Sequence, residues 1–397
     1  MRAAALALPA VVLTACSEPL ELADWTIPVP EGTAGDAIRV APALPFDGRL
    51  VVALVVAVAT IGCGENTATD RGASGPVTLD LEPSAVLVSE ESALIAEAVD
   101  IEVDDRGNVL VVDYRAPQVL IVPPDGGEPT VVGRGGEGPG EFRFPRAIGG
   151  AGGIVYVFDV SRGNVQRFDY QGTYLGESAF PLNASGIELS AAGRIAYNKW
   201  PSESGKLVTV ADFEGEALLH VGDLVVAEVE GMNFTTIKEE IARGSIPGVL
   251  RNEAIPMLAA NGDVWVFQQT DAVLERFDAS GTAQASAQLA LPEQAEILAF
   301  FKERNANLGP GTLFPLRYVA DAQSVGDSAW LSWNLPLGQP GIITVHGPDG
   351  RMRHRLQFPS IPTTSRFAVD PERSRLYLYV NDESSIVVID LPEGVVS

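Results

Sequence analysis

Cysteine is almost absent from this chain. Only Cys16 and Cys63 occur among its 397 residues, and each follows an apolar run near the N-terminus. The long remainder of the sequence therefore has no disulfide framework, no thiolate metal site and no cysteine nucleophile.

Histidine and positive charge are also scarce. The three histidines, His220, His346 and His354, lack the spacing of zinc ligands, so we expect no histidine-based zinc site. Lys and Arg total 27 against 52 Asp and Glu, which gives a net charge of -25. Such a surface repels nucleic acid and anionic lipid, so we expect neither nucleic-acid binding nor electrostatic membrane binding.

Two common catalytic signatures are missing as well. The sequence contains no Gly-x-Ser-x-Gly elbow, and so few scattered histidines do not indicate a Ser-His-Asp triad. The glycine-rich run Gly133–Gly140 is not followed by Lys-Ser or Lys-Thr, so we interpret it as a crossing between two successive units of strands rather than a phosphate loop.

Two N-terminal segments have the pattern of secretion signals. Apolar and small residues lead up to Cys16, and the uncharged run Leu50–Gly62 precedes Cys63. Both resemble bacterial lipoprotein leaders, a resemblance that implies cleavage before one of the cysteines and a lipid on its sulfur. The alternative is a chance cysteine after an apolar run. We expect a cell-envelope lipoprotein that faces the periplasm or the exterior and touches the membrane through its lipid alone.

The composition after the leaders favours an all-β fold. The chain contains 40 Gly and 28 Pro with 46% hydrophobic residues, which is typical of many short strands joined by turns. We assign residues 1–75 to the duplicated leaders and a flexible tether, and residues 76–397 to one globular domain.

A unit of strands and glycine turns recurs six times in that domain. The second copy is the clearest, with strands at Ile154–Asp159 and Asn164–Asp169. Such a repeat predicts the blades of a six-bladed β-propeller with four antiparallel strands in each blade. The sixth copy lacks one strand, and we predict that the N-terminal strand Pro76–Leu81 supplies it and closes the ring.

These repeats resemble the NHL-type six-bladed propeller family over roughly residues 76 to 393. The segment Gly133–Phe142 followed by Phe144 and Pro145 carries the resemblance most clearly. The resemblance implies a fold and not a function, because this architecture serves lactonases, lyases, oxidoreductases and binding modules alike.

Two insertions interrupt the repeat, at about residues 222–252 and 292–315. Each contains a predicted short helix, Thr235–Arg243 and Glu293–Asn305. The apolar stretch Ile297–Phe301 of the second helix either docks an envelope protein or packs on its own blade.

Candidate ligand-binding residues are Arg146, Arg317 and Arg366. Each lies near the start of a predicted inner strand, where a propeller places side chains around one mouth of its channel. Together they predict an anion pocket, since a guanidinium binds a carboxylate or phosphate through two parallel hydrogen bonds. The alternative is that each arginine pairs with an acidic neighbour such as Glu141 or Asp370.

Acidic residues suggest no specific chemistry. Glu97, Asp100 and Glu102 lie on or near the first inner strand, where bound calcium is conceivable but unsupported, and solvated carboxylates are the simpler interpretation. Asp113 and Asp159 are interpreted as turn residues that bind backbone N–H groups.

These observations favour a monomeric binding or scaffold protein that presents its channel mouth to a small ligand or an envelope protein, with no cofactor. The alternative is a metal-dependent propeller hydrolase or lyase that acts on a small polar substrate.

Overall fold

A computed structural model describes most of the chain after the leaders. The described residues are 75–180, 184–190, 193–199, 201–226, 233–309, 311–336, 338–362 and 366–396. The predicted leaders, the tether, Cys16 and Cys63 lie outside them. No helix among the described residues is long and apolar enough to cross a membrane.

Six four-stranded antiparallel units make up the fold, which confirms the predicted six-bladed propeller. The first three blades consist of β3 (Ala98–Val103), β4 (Val109–Asp113), β5 (Gln118–Val122) and β6 (Thr130–Val132); β9 (Pro145–Ala151), β10 (Ile154–Asp159), β11 (Asn164–Asp169) and β12 (Tyr174–Ala179); and β13 (Ala184–Ser190), β14 (Arg194–Lys199), β15 (Lys206–Asp212) and β16 (Ala217–Asp223).

The remaining blades follow the same order along the chain. Blades four to six contain β17 (Ala254–Leu258), β18 (Val264–Gln268), β19 (Val273–Phe277) and β20 (Ala283–Gln288); β21 (Val319–Val325), β22 (Ser328–Trp333), β23 (Pro340–His346) and β24 (Met352–Pro362); and β25 (Arg366–Asp370), β26 (Arg375–Val380) and β27 (Ser385–Asp390).

The first strand of each blade faces the central channel. Inner strands of successive blades contact one another from β3 through β9, β13, β17 and β21 to β25, and β25 in turn contacts β3. The ring is therefore closed at its centre by neighbouring inner strands, and apolar side chains fill the spaces between blades.

Two N-terminal strands complete the outer part of the ring. Strand β2 (Ala85–Val88) pairs antiparallel with β27 and is the fourth strand of blade six. Strand β1 (Val77–Asp80) instead pairs in parallel with β24 and becomes a fifth strand of blade five. The prediction of an N-terminal closing strand is confirmed, but its assignment to Pro76–Leu81 is wrong, because β2 occupies that edge.

The two insertions form helices beside the propeller core. Helix α1 (Phe234–Ala242) and helix α2 (Glu293–Asn307) correspond to the two predicted helices. Short 3-10 turns occupy Glu90–Ser92, Gly248–Leu250 and Asn381–Glu383. Ile297 and Phe301 of α2 are buried in the core that also contains Trp265 and Trp333. Helix α2 thus packs on the propeller through the apolar stretch that had suggested a docking surface.

The glycine-rich run connects blades one and two as predicted. Within it, β7 (Arg134–Gly135) pairs in parallel with β8 (Glu141–Phe142). Gly133 has a positive φ of 70°, and a Cβ at this position would lie 2.2 Å from the Phe142 ring. Glycine is required there because no other side chain fits that conformation and that space.

Asp113 and Asp159 are turn residues, as predicted. Each carboxylate is fully buried at the end of the second strand of its blade. Each accepts N–H bonds both from the segment that enters the inner strand and from the turn after its own strand, namely Ala96, Glu97, Arg115 and Ala116 for Asp113, and Arg143, Phe144, Ser161 and Arg162 for Asp159. These carboxylates hold the start of the inner strand in place.

A buried histidine ends the third strand of blade five. His346 is fully buried, with Nδ1 3.1 Å from the Gly350 carbonyl and Nε2 2.9 Å from Thr344 Oγ1. The Thr344 hydroxyl also accepts a bond from Trp333 Nε1. All three hydrogen bonds can form together if His346 Nδ1 carries the proton and donates to the carbonyl, while Nε2 accepts from the threonine hydroxyl. Burial lowers the pKa of His346 to about 4.

Truncations distinguish the two N-terminal strands. A chain that begins at Glu82 loses only the extra strand of blade five, and we expect it to fold with a modest loss of stability. A chain that begins at Ser89 also loses β2 and exposes the unpaired edge of β27, so we expect aggregation or a loss of roughly 3 kcal/mol or more. Urea unfolding and light scattering measure the difference. Equal behaviour of the two truncated chains would contradict the assignment of β2 as the closing strand.

His346 makes the protein less stable in acid. The unfolded histidine takes up a proton below its ordinary pKa of about 6.5, whereas the folded one resists it down to about 4. Protonation of His346 therefore costs the folded protein nothing at neutral pH, whereas the free energy of unfolding falls by about 2 kcal/mol between pH 7 and pH 5. His346→Gln should lack this component when urea unfolding is compared at the two pH values, whereas the same change at exposed His220 should retain it. An unchanged pH dependence in His346→Gln would refute the assignment.

Candidate functional site

A cavity of about 340 Å³ opens at one mouth of the central channel. Its lining includes residues from all six blades. The side chains are unusually rich in charge, with arginines and carboxylates on the same wall. A site of this size accommodates a small molecule rather than a polymer.

The three predicted arginines all line this one cavity. Arg146 is the second residue of β9, Arg366 is the first residue of β25, and Arg317 lies just before β21. They come together because each occupies the entrance of an inner strand. The structure thus brings together the residues that the sequence had placed in three different blades.

Arg366 joins the two blades on either side of its own. Its Nε donates to the Val99 carbonyl at 2.5 Å, and another nitrogen donates to the Ala320 carbonyl. The Asp321 carboxylate lies 3.8 Å from the guanidinium. Arg366 therefore stabilises the ring between blades five, six and one, in addition to lining the cavity.

The other two arginines differ in how they are neutralised. Arg317 donates to the Glu253 carboxylate at 2.6 Å across the boundary of blades four and five. Within the described part of the chain, Arg146 has no carboxylate partner, and its guanidinium lies 5.4 Å from the centre of the Phe144 ring. The Arg146 side chain is exposed, yet desolvation by the cavity wall and then repulsion from Arg366 and Arg317 lower its pKa, against an opposing attraction from Asp100. An arginine nonetheless stays protonated at neutral pH.

Among the described residues, the three arginines form no ion pair with Glu141 or Asp370. Glu141 pairs with Arg134, and Asp370 pairs with Arg373. The alternative interpretation, that each arginine pairs with an acidic neighbour, holds for Arg317 and Arg366, although their partners are Glu253 and Asp321. It does not describe Arg146.

Four carboxylates share the cavity with these arginines, namely Glu253, which pairs with Arg317, and three acids on inner strands. Asp100, Glu188 and Asp321 project from the inner strands of blades one, three and five. The pairing of each inner strand shifts register just before the acid, between Ala98 and Asp100, Ser185 and Ile187, and Val319 and Asp321. Asp100 and Asp321 directly follow the bulged residue, and Glu188 is the second residue after it. A bulge shifts the alternation of all side chains beyond it, so these irregularities account for acids that point into the channel.

Backbone hydrogen bonds hold two of the acids. Asp100 accepts from the Ile148 N–H at 2.9 Å, and Asp321 accepts from the Phe367 N–H at 3.0 Å. In both cases the donor lies on the inner strand of the next blade. Among the described residues, none donates a hydrogen bond to the Glu188 carboxylate.

The channel carboxyls resist ionisation. Desolvation and then repulsion from Asp321 raise the pKa of Asp100 to about 7. Desolvation, with repulsion from Asp100 and Asp321, also raises the pKa of Glu188. Burial raises the pKa of Asp321 against the opposing effect of Arg366. Several carboxyls in one enclosed space cannot all be charged without cost, so protons are shared among them near neutral pH.

The carboxylates suggested for calcium are divided by the structure. Glu97 lies outside the cavity and pairs with Arg115 at 2.6 Å. Desolvation raises the pKa of Glu102, which accepts a bond from Gln323 Nε2 at 3.0 Å. No group of three or more His, Cys, Asp or Glu in the described residues is arranged to hold a metal ion. The histidines lie apart from the cavity on β16, β23 and β24.

Sequence reasoning missed Glu188, Asp321 and Glu253. Their only sequence signal is a carboxylate within or just before a weakly alternating inner strand. The bulges that aim Glu188 and Asp321 into the channel depend on pairing with the neighbouring strand. No local pattern distinguishes them from ordinary strand-end acids.

The pKa of Asp100 predicts a loss of stability as the pH rises. The unfolded carboxyl loses its proton near pH 3.8, whereas the folded one keeps it until about pH 7. The protonated Asp100 carboxyl therefore contributes its full stabilisation of the folded state below about pH 4, and this contribution is lost as the pH rises to 7 and beyond. Asp100→Asn keeps the acceptor for Ile148 but cannot ionise, so it should be more stable than the parent at pH 8 by on the order of 2 kcal/mol. Urea unfolding at pH 5 and pH 8 measures this, and a variant that is less stable at both pH values would contradict it.

Comparisons with known proteins agree with the fold. Residues 85–216 match a family model described as a 6-bladed beta-propeller. No curated protein matches the sequence significantly. Among solved structures, a Bacteroides fragilis protein described as exported shares 11% identity with a TM-score of 0.50, over 79% of this chain and 99% of its own.

Two enzymes are also similar in structure. A gluconolactonase from Xanthomonas campestris shares 13% identity and a TM-score of 0.45, over 77% of this chain and 89% of its own. Virginiamycin B lyase from Staphylococcus aureus shares 14% identity and a TM-score of 0.39, over 75% and 85%. At such identities these likenesses concern the fold and not the activity. The chain is a six-bladed β-propeller protein.

Proposed function

We propose that this chain is an extracytoplasmic binding protein that takes a small anionic ligand at the mouth of its propeller channel. The observation that carries the proposal is Arg146. Its guanidinium lines a cavity of small-molecule size beside Arg317 and Arg366, and no described carboxylate lies within ion-pair distance of it. The Arg146 side chain is exposed to the solvent in the cavity, so an anion that enters can contact it directly through a charge-assisted hydrogen bond.

The three arginines have different roles in this proposal. Arg146 supplies the free guanidinium for a bidentate bond to a carboxylate or phosphate. Arg317 and Arg366 are held by Glu253 and by backbone carbonyls, so they add positive potential and shape without having to move. Rigid groups of this kind lower the entropy cost of binding.

The location in the cell envelope is part of the same proposal. It is supported by the two leader patterns that end at Cys16 and Cys63. A lipid on either cysteine would place the propeller at a membrane surface, where it could capture a solute or present the channel mouth to an envelope protein.

Arg146→Gln should weaken anion binding by tenfold or more. Calorimetric titration of the full chain with butyrate and with ethyl phosphate, at low and constant ionic strength, measures the effect. Arg351→Gln makes the same change in charge at an exposed turn and serves as the matched control. The proposal fails if neither anion binds to the parent protein, or if Arg146→Gln binds both as tightly as the control does.

A further inference from the structure

Opposite charges stand unpaired in the same cavity. Arg146 lacks a described carboxylate partner, and Glu188 lacks a described donor. They also form no ion pair with each other, although both border the same space of about 340 Å³. Two such groups provide one cationic and one anionic contact point for a single bound molecule.

Glu188 differs from the other two acids in what surrounds it. Asp100 accepts a backbone N–H from Ile148, and Asp321 accepts one from Phe367 and lies near Arg366. Glu188 is half-buried and repelled by both of these acids, and none of the described residues donates a hydrogen bond to it. A half-buried carboxylate without a donor in the protein can be stabilised by a donor that a bound molecule supplies.

The acids around Glu188 indicate which charge a bound donor should carry. Asp100, Glu188 and Asp321 together make this part of the wall strongly negative whenever more than one of them is ionised. An ammonium group placed there would relieve their mutual repulsion as well as bond to Glu188. A hydroxyl would supply a hydrogen bond but no charge compensation.

We infer that the cavity selects small zwitterions, with an amine bound at Glu188 and a carboxylate or phosphate bound at Arg146. This inference rests on the proposed function, because it keeps Arg146 as the site of the anionic group. It adds a ligand class, namely amino acids and aminoalkyl phosphates, that the arginines alone do not specify. It also explains why a pocket with a cationic rim retains an acidic wall.

Matched pairs of ligands test the inference on the full chain. Acetate, propionate and butyrate are titrated against glycine, β-alanine and 4-aminobutyrate, which carry the same carboxylate with an amine at increasing separation. We expect at least one amine-bearing member to bind tenfold or more tightly than its partner. Butylamine, which lacks the anion, should bind more weakly than 4-aminobutyrate.

The Glu188→Gln variant identifies the contact. It should abolish the preference for the amine and leave the binding of the simple carboxylates equal or tighter, because glutamine cannot ionise and repel an anion. Glu216→Gln changes an exposed acid of the same blade and is the matched control. Thermal unfolding of both variants verifies that they are folded.

The outcomes separate the two proposals. If simple carboxylates bind through Arg146 and no amine-bearing partner binds more tightly, the zwitterion inference is overturned and the anion site stands. If the amine preference persists in Glu188→Gln, the assignment to Glu188 is wrong. If none of the carboxylates binds to the parent protein, the proposed function itself fails.

Discussion

Closure of the ring is the constraint on which the rest of the structure depends. Each blade buries its faces only against its two neighbours, so an open ring would leave apolar surface and strand edges in water. The chain closes the ring by pairing β2, near the beginning of the described residues, with β27 near the end. Inner strands β25 and β3 then meet, and this contact completes the channel and its charged mouth.

The same closure accounts for the arrangement of charge. Arg366 reaches the carbonyls of Val99 and Ala320, which are the bulged residues of the inner strands on either side. The acids that follow these bulges, Asp100 and Asp321, bind the N–H groups of the next inner strands. Charged groups in the channel thus connect neighbouring blades and also form the wall of the cavity.

These charged groups are not needed to hold the blades together. Blade-to-blade contact could be made by apolar side chains, as it is elsewhere in the core. Half-buried carboxylates whose pKa values are raised destabilise the folded protein when they ionise, and groups with shifted pKa values cluster at functional sites. On the outer surface, by contrast, charged side chains are exposed to water and many form ion pairs, so they cost little stability.

The sequence by itself determined the number of blades, the positions of most strands and both helices. These features are local, since alternating β-branched residues, glycine turns and Asp113-like turn residues act over a few positions. It also placed Arg146, Arg317 and Arg366 at strand entrances. Tertiary structure decided which N-terminal strand closes the ring, because β1 and β2 are both short and apolar and only the free edge of blade six distinguishes them. It also decided that Glu188 and Asp321 face the channel, since a bulge arises from pairing with a neighbouring strand.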